Sequence, residues 1–79
     1  MFEEKRRTAR QKVNLPGTVV FGAAQADCII DDMSEGGVRL LVKCELPSEF
    51  LLVIKDGLES TRMCRLVWRL DHEVGAEFI

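Results

Sequence analysis

Cys64-Arg65-Leu66-Val67-Trp68-Arg69-Leu70 alternates apolar and mostly charged side chains with a period of two, the mark of a strand with one face buried. Strict alternation points Cys64, Leu66, Trp68 and Leu70 inward and Arg65, Val67 and Arg69 outward, which assigns the single tryptophan to the core. Upstream of it, Asp56-Gly57 is a hairpin turn and Phe50 to Lys55 an apolar strand. Downstream, Asp71-His72-Glu73 turns the chain into a last strand with Val74, Ala76 and Phe78 facing in.

The same period continues toward the N-terminus. Gly37 to Cys44 reads as a strand with Val38, Leu40, Val42 and Cys44 on one face and Arg39 and Lys43 on the other, followed by a loop from Glu45 to Glu49 around Pro47. Ala26 to Asp31 is a short strand. Val13 to Phe21 is another, which Pro16-Gly17 is expected to break by a bulge or bend, and Gly22 to Gln25 turns between the two. If Ile29 and Met33 both face inward, alternation buries Asp31, so a bulge is expected near Asp31 and Asp32. The expected fold is therefore all-β: a small six-stranded antiparallel β-barrel over residues 13–79, preceded by a flexible basic arm, residues 1–12.

A chain of 79 residues is one domain with a small core. No apolar run approaches the roughly 18 residues that span a bilayer. Met1-Phe2-Glu3-Glu4-Lys5-Arg6 is not a secretory start, so the expected compartment is the cytoplasm. Cys28, Cys44 and Cys64 form no Cys-x-x-Cys pair, and one histidine cannot complete a zinc site, so they read as reduced thiols and no metal is expected. His72 adjoins Asp71 in a turn, and no nucleophile-elbow glycines surround Ser34; the chain is not expected to be an enzyme. Aromatic content of 6% without tyrosine speaks against a base-stacking surface for single-stranded nucleic acid.

Charge is unevenly placed: of the net −2, residues 1–12 carry +3 and the remainder −5. A basic run of this kind is often only a solvated tail. Here it is followed, some twenty residues on, by the polar turn Asp32-Met33-Ser34-Glu35-Gly36-Gly37. Guanine presents N7 and O6 as adjacent acceptors, which a guanidinium fork from Arg6 or Arg10 matches while other guanidinium groups clamp phosphate. Asp32, acceptor-only when ionised, suits the N1–H and N2–H donors of guanine's opposite edge, a demand adenine cannot meet. Ser34 either bonds the ligand or caps its own turn. Gly36 and Gly37 either supply positive φ before the strand or admit the ligand to the backbone.

Arg6 and Arg10 fit R-x-x-x-R, and Asp32, Ser34 and Gly37 fit [D/N]-x-S-x-x-G. With the closing stretch from Val67-Trp68-Arg69 to Gly75-Ala76-Glu77-Phe78, the chain resembles a PilZ domain over nearly its whole length. The resemblance implies a receptor for the bacterial second messenger cyclic di-GMP, with no cofactor beyond that ligand. In it Arg6 and Arg10 are clamps, Asp32 and Ser34 read a guanine, Gly37 opens the turn, and Lys5, Arg7 and Gly36 are auxiliary contacts. A basic residue at Lys5 favours a stacked pair of ligand molecules. The implied mechanism folds the arm onto the barrel around a dianionic ligand and signals to an unidentified protein partner. A protein-interaction adaptor with weak or no nucleotide binding, and a β-barrel binding single-stranded nucleic acid, are the alternatives.

Overall fold

The structure, a computed structural model, describes residues 11–79. Among these residues it contains six strands and no helix, so no helix long and apolar enough to cross a membrane. The strands are β1 (Gln11–Phe21), β2 (Ala24–Met33), β3 (Gly37–Leu41), β4 (Glu49–Asp56), β5 (Leu58–Leu70) and β6 (Glu73–Phe78). They form a closed antiparallel barrel in the order β1-β2-β3-β6-β5-β4, with β4 pairing back onto β1. Closure gives every strand a neighbour on both sides. Gln11 and Lys12, grouped with the arm by sequence, pair with Met33 and Asp32 in β1.

Alternation fills the interior as the pattern demands. Val19, Cys28, Ile30, Val38, Leu40, Phe50, Leu52, Ile54, Cys64, Val74 and Ala76 are buried, and Val42 continues the inward face of β3 one residue past its end. The strand stops at Leu41 rather than Cys44, which is only half-buried. Burial pushes the Cys28 thiol up to about 12 and the Cys64 thiol up to about 11. Both therefore stay protonated and pack as small apolar groups.

Three bulges break the alternation. In β1 the register shifts between Lys12 and Leu15, around Asn14 at φ 51°, a left-handed conformation that asparagine tolerates. The irregularity thus precedes Pro16-Gly17. β1 runs unbroken through Pro16, which sits one residue beyond the β4 ladder, where proline's missing N–H is tolerated.

In β2, Ile30 pairs with Leu40 and Asp32 with Arg39, so Asp31 is the extra residue of a bulge where one was expected. The inward parity differs from expectation: Cys28 and Ile30 face the core, while Ile29 is 39% exposed. In β5, Leu66 pairs with Ala76 and Trp68 with Gly75, which makes Val67 the extra residue. A bulge of two residues against one turns both to the same side. Trp68, 43% exposed, and Leu70, 67% exposed, therefore lie outside the barrel, not in its core.

Candidate functional site

The β2 and β5 bulges lie in one row across four strands. Asp32 on β2 pairs with Arg39 on β3, Arg39 with Gly75 on β6, and Gly75 with Trp68 on β5. Each bulge re-aims a side chain that strict alternation would have placed elsewhere. Asp31 and Asp32 both reach Arg39 on the outer face, and Trp68 comes out over Gly75. Together with the turn after β2 these residues enclose a groove of about 580 Å³ lined by Asp32, Ser34, Gly36, Gly37, Arg39, Val67, Trp68, Gly75 and Glu77.

Two glycines shape this groove by what they lack. A Cβ on Gly75 would overlap Trp68 at Nε1 and Cε2, so only glycine lets the indole sit this close to β6. A Cβ on Gly37 would collide with the carbonyl oxygen of Ala76, so glycine here lets β3 and β6 approach. Neither Gly36 nor Gly37 has positive φ, which removes the backbone-conformation reading of these two residues. A Cβ at Gly36 would meet none of the described residues within 4 Å beyond its chain neighbours, and the Gly36 carbonyl accepts from Phe78 N–H at 2.8 Å.

Main-chain bonding closes the turn itself. Ser34 N–H donates to the Gly37 carbonyl at 2.9 Å. Ser34 also lines the groove.

Asp32 is the buried charge of the site, its side chain 7% exposed, with Arg39 Nη2 3.2 Å from its Oδ2. Burying a carboxylate is costly unless a cation and hydrogen bonds compensate. Arg39 also places Nε 3.3 Å from Asp31 Oδ2, near enough to pair but off-axis, so that this N–H is buried without a hydrogen bond. Lys12 Nζ donates to Asp31 Oδ2 at 3.0 Å. That hydrogen bond holds the Asp31 carboxyl below its ordinary 3.8, against some desolvation and with help from the charges of Lys12 and Arg39. On the groove's rim Glu77 Oε2 accepts from Arg65 Nη1 at 3.0 Å.

Of the residues singled out by sequence, Asp32, Ser34, Gly36 and Gly37 come together at the groove. Lys5, Arg6, Arg7 and Arg10 lie outside the described residues. Arg39 and Trp68 were missed. Arg39 was read as one charge on a solvated strand face, because its pairing with two carboxylates requires the β2 bulge. Trp68 was read as core. Val67 was the available warning: an apolar residue on an otherwise charged face is out of phase, as an inserted residue makes it.

A family model described as PilZ domain matches residues 4–79. No curated protein matches the chain.

Proposed function

Since the chain belongs to the PilZ domain family, whose members are generally cyclic di-GMP receptors, we propose that it binds cyclic di-GMP in the groove beneath Trp68 and Asp32. The observation that carries this reading is the buried, arginine-paired Asp32 carboxylate in the wall of a groove whose rim bears an exposed indole. An ionised carboxylate accepts from guanine N1–H and N2–H, and a flat indole against Gly75 offers a surface for a base to stack. Ser34 and the open backbone at Gly36 and Gly37 add polar contacts. The R-x-x-x-R arginines Arg6 and Arg10, with Lys5 and Arg7, supply phosphate clamping and Hoogsteen readout, an assignment resting on sequence alone.

In this reading the protein is a binding domain and not an enzyme. Residues 1–10 lead straight into β1, whose Lys12 pairs with Asp32 in register, so an arm closing over a ligand would be tethered at the groove's edge. Closure costs roughly 1–2 kcal/mol of backbone freedom per residue ordered, so several charge-assisted contacts must form together. The apolar side chains of Val67 and Leu70, 59% and 67% exposed on the strand that carries Trp68, offer a protein partner a surface whose neighbourhood ligand binding alters.

The test is a calorimetric titration of the folded protein with cyclic di-GMP, alongside cyclic di-AMP and GTP. Saturable heat with cyclic di-GMP, at an affinity well above that for cyclic di-AMP or GTP, is the expected result. A folded protein giving no heat at high ligand concentration overturns the reading.

A further inference from the structure

Arg39 belongs to neither sequence motif, yet it occupies the centre of the row that builds the groove. Its two register partners are Asp32 and Gly75. Its guanidinium bridges two carboxylates, with Nη2 on Asp32 and Nε against Asp31. The Nε–H is buried without an in-line acceptor, so the side chain's own hydrogen bonding is not optimal in this pose. What the pose does achieve is to set a cation against the nearly buried Asp32. Asp31 in turn is held from the other side by Lys12, so the chain Lys12–Asp31–Arg39–Asp32 runs from the first strand into the groove.

We infer that Arg39 is a positioning residue that makes the site selective for guanine, by holding the Asp32 carboxylate aimed at the ligand's donor edge. The inference rests on the cyclic di-GMP reading above. Its logic is chemical. An ionised carboxylate can only accept, so it satisfies guanine's N1–H and N2–H and finds no matching donors on adenine at N1. Removing the Arg39 contact at 3.2 Å loosens the hold on the direction in which the Asp32 carboxylate points. A carboxylate that has lost its aim weakens the contacts to guanine's N1–H and N2–H and leaves adenine, which does not use them, unaffected. Losing Arg39 should therefore erode discrimination more than it erodes affinity for the phosphates that the two cyclic dinucleotides share.

The experiment is calorimetric titration of cyclic di-GMP and cyclic di-AMP against wild type, Arg39→Gln, Arg39→Lys, Asp32→Asn and the Asp32→Asn/Arg39→Gln double variant. Arg39→Gln should cut the guanine-to-adenine affinity ratio at least about tenfold. Placed on Asp32→Asn it should change that ratio less than about twofold, because the residue it acts through is already altered. If Arg39→Gln does not fold, Arg39→Lys carries the test: a point charge cannot fork across both carboxylates, and a ratio lowered at least about threefold supports the inference. An unchanged ratio in a folded, ligand-binding variant overturns it. So does an equal loss for both ligands, which would make Arg39 a phosphate contact. A wild type silent toward both ligands instead overturns the receptor reading itself.

Discussion

Gly75 on β6 lies directly beneath the indole of Trp68 on β5, and a methyl group on its Cα would overlap the ring at Nε1 and Cε2. The two residues are register partners next to the β5 bulge, so the glycine sets the height of the indole and the bulge sets its side. An apolar ring that is 43% exposed is thereby held in one place without a pocket of its own. Arg39, the other register partner of Gly75, connects this ring platform to the buried Asp32.

Gly75→Ala is therefore expected to displace the indole. Trp68 is the only tryptophan, so its fluorescence reports the movement alone. Forcing a methyl group into this contact should cost roughly 1–3 kcal/mol of stability. The cost should largely vanish in Gly75→Ala/Trp68→Ala, because the overlapping ring is gone. Both variants should bind cyclic di-GMP more weakly. A Gly75→Ala protein with wild-type fluorescence and stability would show that the ring is not anchored by this contact.

A different arginine secures the other end of β5. Arg69 donates from Nε to the Asp71 carbonyl at 2.8 Å, from Nη1 to Cys44 at 2.7 Å and from Nη2 to Val42 at 3.0 Å. One guanidinium thus fastens the segment leaving β3 to the β5–β6 turn, where Asp71 adopts φ 55°. Arg69→Ala leaves three carbonyls without this donor and should lower stability by about 2–3 kcal/mol in denaturant titrations. Arg69→Lys should recover only part of the loss, since a single ammonium cannot reproduce the fork. An Arg69→Ala protein as stable as wild type would assign the clamp no energetic role.

The legibility of this fold follows from which residues obey alternation. Val38, Leu40 and Val42, and Phe50, Leu52 and Ile54, face the core as period two dictates, and that regularity was enough to identify the barrel. Parity failed where a strand carries an inserted residue. A bulge costs one residue of register and leaves little compositional trace, here only the out-of-phase Val67, and it moved Trp68 and Leu70 out of the core. At Asp31 the trace was stronger, because strict alternation with Ile29 and Met33 inward would have had to bury its carboxylate in the core. The motif glycines were legible as required glycines but not for their reason. Gly37 is needed for the approach of β6, a contact between segments some forty residues apart that no local pattern displays.

The Lys12–Asp31 pair makes a pH-dependent contribution whose sign can be stated. The hydrogen bond from Lys12 lowers the Asp31 carboxyl below its ordinary 3.8. A carboxylate depressed in the folded state stabilises that state above its unfolded value, and the contribution is lost as pH falls through the folded value. Carbon-detected NMR titration should show Asp31 titrating below 3.8 in the wild type and moving up toward it in Lys12→Ala. The melting-temperature difference between the two proteins should shrink as pH is lowered through that window. A titration unaffected by Lys12→Ala would remove Lys12 as the cause.

The two motifs should also separate by what their loss damages. Arg10 lies outside the described residues, and in the proposed reading its guanidinium serves the ligand. Arg10→Ala should cost cyclic di-GMP binding on the order of 1.5–3 kcal/mol while leaving the melting temperature nearly unchanged. Asp32 is different, because it is both a proposed base reader and the counter-charge of Arg39. Asp32→Ala leaves Arg39, among the described residues, with Asp31 at 3.3 Å and off-axis, in a place already short of one hydrogen bond, so binding and stability should fall together. Asp32→Asn, which keeps the volume and one acceptor oxygen, should restore much of the stability and little of the guanine preference. Calorimetric titration paired with thermal melts of the three variants distinguishes these patterns. An Arg10→Ala protein that binds normally but melts much earlier would make the arginine structural and leave Asp32 to act without it.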